Sequence, residues 1–229
     1  MPEKRLIVTR ADDKISQLCS ITHPILKRYA IKCKADFQII SESGNIHPHY
    51  RILKLYNLFN NYDRIAVIDS DVLILRSCPD IFETVPESKI GSIFEDKGSR
   101  KFHRRSLLKD IQKKFVNVGI KEGYINTGVC VFSKLHKDVF KYTEGQDLWL
   151  DFGQDDVYLR MMIAVHKFDI HELDIRWNFM SMFEESWSNK SRFDAFIIHY
   201  AGNGFFPTID RFEQLKQDYI LLDRYKRLI

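Results

Sequence analysis

Residues 65–74 read Ile-Ala-Val-Ile-Asp-Ser-Asp-Val-Leu-Ile, and no other stretch limits the possible folds so strongly. An apolar run of strand length ends on Asp69, and a second carboxylate, Asp71, follows two positions later. Residues i and i+2 of an extended chain point to the same side, so both carboxylates can face one hard cation at the end of a buried strand. Open α/β sheets place their ligands at such strand ends. A divalent ion held by two carboxylates keeps positions free for the phosphate oxygens of a nucleotide diphosphate. The plain alternative is a turn in which the two acids cap backbone N–H groups.

The flanking pattern fits a layered α/β fold with a mainly parallel sheet. Residues 5–9 form a first strand, followed by Ala11-Asp12-Asp13 as a helix cap. Pro24 predicts a break near Thr22-His23, with a second helix beyond it. Residues 37–40 form a second short strand, and residues 41–48 are polar loop. Apolar residues at 52, 53, 55, 56, 58 and 59 predict a buried helix over 50–59 that carries Arg51 and Lys54. A short helix starting at Ile81 and a strand over 89–94 follow.

Residues 124–132 form a strand with a polar Asn126-Thr127-Gly128 insert, where the glycine permits close backbone approach or marks a bulge. Gly153-Gln154-Asp155-Asp156 opens a helix whose acids suit the dipole or face a ligand. Residues 193–199 form a last strand ending in His199, and Gly202 and Gly204 imply backbone passing close to a bound group. Residues 209–229 form an amphipathic helix with Phe212, Leu215, Tyr219 and Leu222 on one stripe. The expected organisation is one domain over 1–208 with the helix of 209–229 packed upon it.

With 45% hydrophobic and 29% charged residues the chain reads as an ordinary globular protein. A net charge of +4 is too mild to imply nucleic acid. The exception is residues 97–114, with eight Lys or Arg against the single acid Asp110. That block reads either as a basic segment over a phosphate or anionic acceptor site, or as a solvated helix face. Cys19, Cys33, Cys78 and Cys130 lack metal-site spacing, which favours a reducing compartment. Neither a leader pattern nor an apolar run long enough to span a bilayer is seen, so the expectation is a cytoplasmic protein.

Taken in order, Lys54-Leu55, Tyr62-Asp63, Val67-Ile68-Asp69-Ser70-Asp71, Asn126-Thr127-Gly128-Val129, Gln154-Asp155 and His199-Tyr200-Ala201-Gly202 resemble the GT-A glycosyltransferases of family eight. That family includes glycogenin and the bacterial lipooligosaccharide galactosyltransferases, and related viral GT-A transferases look similar. The likeness runs over about residues 4–204. It implies a GT-A fold and a metal-dependent enzyme that moves a sugar from a nucleotide-diphosphate sugar, UDP-linked in the family, to an acceptor hydroxyl on a glycan or glycoprotein. Retention of anomeric configuration is implied in the same way.

By that resemblance Asp69, Asp71 and His199 hold a manganese ion, with magnesium as the other candidate, the imidazole favouring manganese. Lys54 corresponds to the family's donor-binding lysine, and Ser70 lies within the metal motif. Asn126, Thr127 and Gly128 line the donor sugar, and Gly202 belongs to the same donor site. Val8, Thr9, Arg10 and Ala11 hold uracil and ribose. Gln154 stabilises positive charge on the sugar, and Asp155 orients its hydroxyls. The chain departs from the pattern where Gly153 precedes Gln154 in place of an acid. It also lacks the Lys-Pro-Trp that follows the histidine motif. Two rivals remain: an aspartate-nucleophile phosphatase, which also opens on a strand into Asp-x-Asp, and a non-catalytic nucleotide-sugar-binding protein.

Overall fold

The computed structural model describes residues 3–229; the first two residues of the expected domain lie outside it. A six-stranded sheet is built from β1 (Arg5–Arg10), β2 (Asp36–Ile40), β3 (Arg64–Ile68), β5 (Ile90–Phe94), β6 (Ile125–Ser133) and β7 (Ile170–Glu172), in the order β2-β1-β3-β6-β5-β7. β1 runs parallel to β2 and β3, and β5 runs parallel to β7. Only β6 opposes its neighbours, pairing antiparallel with β3 and β5. The expected mainly parallel α/β sheet is therefore present.

Strand alternation divides the core into two layers. Ile7, Ala66, Ile68, Val129 and Val131 face one layer, which also holds Leu26 and Tyr29 of helix α1 (Ser16–Lys32). Leu6, Val8, Ile65, Val67, Cys130 and Phe132 face the other. That second layer is covered by helices α4 (Lys101–Lys114) and α5 (Gln154–Val165). A separate two-stranded sheet pairs β4 (Val72–Ile74) antiparallel with β8 (Ile197–His199). The metal motif thus sits at the corner where the chain leaves one sheet for another.

Three expectations need correction. Residues 50–59 are mostly a 3-10 helix, Pro48–Lys54, with a single α turn, α2 (Leu55–Leu58). The last strand is shorter than residues 193–199, because Arg192–Asp194 forms a 3-10 turn closed by a Ser191–Asp194 capping box. Pro24 does not break α1, which runs on to Lys32. The proline lies on the exposed face, while Leu18, Thr22, Ile25, Leu26, Tyr29 and Ala30 are buried. Packing of that face on β2 and β4 outweighs one missing hydrogen bond.

The short helix α3 (Ile81–Thr84) is capped by Asp80. Helix α6 (Arg211–Arg224) buries Leu215 and Leu222, with Phe212 and Tyr219 against the same core layer. No helix among the described residues is long and apolar enough to cross a membrane.

Pro24→Ala restores an N–H for the Ser20 carbonyl. Removing the roughly 3 kcal/mol penalty of an interior proline, less about 1 kcal/mol of lost unfolded-state restriction, predicts a gain of about 2 kcal/mol. The thermal midpoint should rise by about 4–8 °C. An unchanged or lowered midpoint would show that the bend at Pro24 is built into the packing.

Candidate active site

The backbone brings three ligand atoms together by register. Ile68 pairs with Val129, so Asp69 falls opposite Gly128 and donates its N–H to that carbonyl at 2.8 Å. The chain then bends at Ser70, whose buried hydroxyl donates to the Arg10 carbonyl at 3.0 Å and is bonded to Thr9 Oγ1 at 2.8 Å. His23 Nε2 lies 3.2 Å from the same oxygen. After the bend, Val72 pairs with His199, and the Tyr200 N–H donates to the Asp71 carbonyl at 2.9 Å.

This pairing sets His199 Nε2 3.1 Å from Asp71 Oδ1 and 4.0 Å from Asp69 Oδ2. One ligand atom from each of Asp69, Asp71 and His199 lies within 4.8 Å of the others. A β-carbon at position 128 would overlap the His199 ring, so glycine is required there for the imidazole to reach its place. Two carboxylates and one imidazole suit a divalent cation of intermediate hardness.

Asp69, Ser70 and Asp71 line a cleft of about 270 Å³, together with Arg10, Asp12, Ile15, Leu18, Pro48, His49, Arg51 and Arg211, and His199 lies buried beside it. Its charges are interlocked. The buried Arg10 guanidinium donates to Asp69 at 2.7 Å, to Asp155 at 2.5 Å and to Thr127 Oγ1 at 3.2 Å. Arg211 donates to Asp71 at 3.0 Å, and Arg51 donates to Asp12 at 2.8 Å. His49 Nδ1 stands 3.5 Å from Asp155.

Titration follows from these pairs. Burial alone would raise the Asp71 carboxyl, but His199 and then Arg211 outweigh it and hold it at about 2. Burial alone would lower the His199 imidazole, yet Asp71 and then Asp69 raise it. Asp155, although buried, is held below the usual range by Arg10 and His49. Asp156 goes the other way. Burial, then Asp155 and Glu95, push it well above the carboxylate range, while it accepts the Thr127 N–H at 2.7 Å.

Asp69, Asp71, His199, Arg10, Thr127, Gly128 and Asp155 come together. Thr9 and Ser70 meet there too, with their hydroxyls turned into the bend. Val8 is fully buried in the sheet, and Ala11 anchors the strand exit through its N–H to the Ile40 carbonyl. Gln154 begins α5 with φ 20°, after Gly153 at φ 84°, and its carboxamide makes no hydrogen bond among the described residues.

Other expectations are corrected. Lys54 does not reach the cleft; it lies 3.9 Å from Glu42 in a separate depression with Ile39 and Asn57. Arg51, one turn earlier, is the cation this stretch delivers. The Asn126 side chain is fully committed inside the protein, to Glu95, Gly128 and Asn178. Gly202 and Gly204 adopt φ 62° and 71°, which explains both glycines as a turn. A β-carbon at 204 would overlap Gln214, while one at 202 would meet open space.

Half of the basic block is paired. Arg104 is buried on Glu95, Arg105 donates to Asp96, Lys97 pairs with Glu172 and Lys113 with Asp110, which leaves Arg100, Lys101, Lys109 and Lys114 without a carboxylate partner among the described residues.

Arg211 and His49 were not legible as site residues from periodicity. Arg211 did carry one signal. A cation in the first turn of a helix opposes the macrodipole, so its position calls for a partner elsewhere.

A model of glycosyl transferase family 8 matches residues 7–204. Among solved structures, a glycosyltransferase involved in the glycosylation of the major capsid of PBCV-1 is similar, with a TM-score of 0.59 and 16% identity. That match covers 93% of this chain and 99% of the other. The galactosyltransferase LgtC, in complex with donor and acceptor sugar analogs, matches at 0.55 and 17% identity, over 93% and 95% of the two chains. GlyE of Streptococcus pneumoniae TIGR4 matches at 0.60 and 13% identity, over 98% of this chain and 63% of that one. At these identities the likeness establishes the fold. The curated proteins contain no match.

The pairing of His199 with Asp71 makes the metal-free protein pH-sensitive in a defined direction. The lowered Asp71 contributes stability above the unfolded carboxylate value and loses it as pH falls toward about 2. The raised His199 contributes fully below its ordinary value of about 6.5 and loses that contribution as pH rises through the higher folded value. In chemical denaturation, the stability advantage of metal-free wild type over His199→Gln should be largest between about pH 4 and 6.5 and shrink on the alkaline side. A difference independent of pH from 5 to 9 would contradict the assignment.

Proposed function

The chain belongs to glycosyl transferase family 8, and from that premise we propose that it moves a sugar from UDP to an acceptor hydroxyl on a glycan or glycoprotein, with retention and with manganese as its cofactor. The observation that carries this reading is the convergence of Asp69, Asp71 and His199 beside a cleft that also presents three arginines. The donor set fits a divalent ion, since His199 offers Nε2 toward two carboxylates and Gly128 leaves room for the ring. When bound, that ion would neutralise charge gathering on the departing diphosphate.

The protein's own residues divide the remaining work. Arg211 occupies a carboxylate that a bound cation would otherwise satisfy, so with cation and diphosphate in place its guanidinium would be free for phosphate oxygens, while Arg10 stays on Asp155. Arg211 then takes the place of the missing Lys-Pro-Trp lysine. Arg104 does not, because it is buried in its pair with Glu95. Arg51, Asp12 and His49 line the same cleft and suit the base and ribose. Asp155, fixed by Arg10 and Thr127, orients sugar hydroxyls. The unpaired carboxamide of Gln154 stands beside it to face positive charge on the anomeric carbon. Lys101 and Lys109 lie on one exposed face of α4, which favours an anionic acceptor.

Titration calorimetry of UDP with and without manganese separates these roles. Asp71→Asn should abolish the manganese-dependent part of UDP binding while the circular dichroism spectrum is kept. Arg211→Ala should lower kcat by about 100-fold, the usual loss for one preorganised charge-stabilising donor. UDP binding to Asp71→Asn with undiminished manganese dependence would remove the metal assignment. Fast hydrolysis of aryl phosphates that depends on Asp69 would replace the transferase with a phosphatase.

A further inference from the structure

Behind His199 runs a buried chain of hydrogen bonds that begins in the basic helix. Arg104 Nε donates to Glu95 Oε2 at 2.6 Å, and Asn126 Nδ2 donates to Glu95 Oε1 at 2.7 Å. Asn126 Oδ1 accepts from the Gly128 N–H at 2.9 Å and from Asn178 Nδ2 at 2.7 Å. Asn178 Oδ1 lies 2.7 Å from His199 Nδ1. Every member is buried: Arg104, Glu95, Asn126, Asn178 and His199 are all at most 8% exposed.

The direction of each bond in this chain is forced. The Glu95 carboxylate, paired with Arg104, accepts, so Asn126 must turn its NH₂ toward it. The Gly128 N–H is a backbone donor and requires the Asn126 oxygen on the other side. Asn126 Oδ1 in turn requires the NH₂ of Asn178. That leaves the Asn178 oxygen facing His199 Nδ1, which must therefore carry a proton. His199 Nε2 stands 3.1 Å from Asp71 Oδ1 and donates a second proton to it in the metal-free protein; a cation held by the carboxylates would displace that proton, and with Nδ1 still donating to Asn178 the Nε2 lone pair would be free.

We propose that Arg104, Glu95, Asn126 and Asn178 are positioning residues that lock His199 in the Nδ1–H tautomer, with Nε2 ready to bind the cation. This rests on the metal reading of the cleft, but the Nδ1–H bond to Asn178 is itself a property of the metal-free protein. The relay assigns Arg104 to the metal centre, which it serves from behind the sheet, and not to the acceptor face. It also gives Asn126 a role different from contact with the donor sugar. Outer partners of this kind set ligand orientation and basicity, and their loss costs about 10–100-fold in metal affinity.

The test is a long-range proton–nitrogen correlation spectrum of protein labelled in histidine, recorded with diamagnetic magnesium in place of manganese. Wild type should show His199 protonated at Nδ1 with a bare Nε2. Asn178→Leu, checked for folding by circular dichroism, should release the ring to carry its proton on Nε2 and weaken manganese binding by about 10–100-fold. UDP binding without metal should stay unchanged. Asn178→Asp keeps an acceptor for Nδ1–H and should restore the tautomer. Arg104→Met perturbs the far end of the chain and should weaken manganese binding in the same direction. The relay is overturned by a wild-type ring protonated on Nε2, or by a folded Asn178→Leu protein with wild-type tautomer and manganese affinity. A ring locked at Nδ1–H in a protein that binds no divalent cation would sink the metal reading and leave the relay standing.

Discussion

Crowded negative charge is the constraint around which this structure is arranged. Asp69, Asp71 and Asp155 meet at the C-terminal end of β3, with Asp156 and the buried Glu95 close behind. Two like charges about 4 Å apart repel by roughly 4 kcal/mol at an effective dielectric of 20, so such a cluster cannot stand without compensation. The protein supplies it from distant parts of the chain. Arg10 leaves the first strand to join Asp69 to Asp155, and Arg211 comes from the last helix to Asp71. His199 arrives through the β4–β8 pairing, Arg104 neutralises Glu95, and Asp156 is favoured in its protonated form. Sheet order, corner and terminal helix all serve this one point.

The compensation is of two kinds, and the difference bears on function. Arg104 and Glu95 are both almost fully buried and form a fixed pair behind the strand. Arg211 is one-third exposed and lies on the cleft wall. Breaking a buried pair leaves an unpaired charge at a cost of several kcal/mol, whereas a rim pair exchanges partners at little cost. The inner pair is thus fixed behind the strand, while the outer arginine, on the proposed function, would turn toward a diphosphate once a cation held its carboxylate. A nucleotide-sugar transferase needs such an exchange, because the charge it must stabilise appears only as the donor bond opens.

Much of this was legible in the residues. The apolar run into Asp69, the Asn126-Thr127-Gly128 insert and the position of His199 gave the sheet and the ligand triad, because strand burial and short-range spacing follow directly from sequence. Lys54 and Asn126 turn away from the cleft for a different reason. Motif order gives the strand or helix a residue occupies but not where its side chain turns. A 3-10 helix in place of an α-helix over Pro48–Lys54 changes which side chain faces the cleft, and Arg51 is the one that reaches it. Pro24 misled because local propensity yields to packing when the opposite face is buried. Arg211 lay outside every motif, and only its unfavourable place at a helix start marked it.

A crystal structure with manganese and UDP, recorded with anomalous scattering at the manganese edge, tests the central claim most directly. The account predicts one anomalous peak within coordination distance of Asp69, Asp71 and His199 Nε2. It also predicts that Arg211 turns from Asp71 to a phosphate oxygen, while Arg104 stays on Glu95. A peak elsewhere, or UDP bound with the Arg211–Asp71 pair intact and no ion between the three ligands, would contradict it.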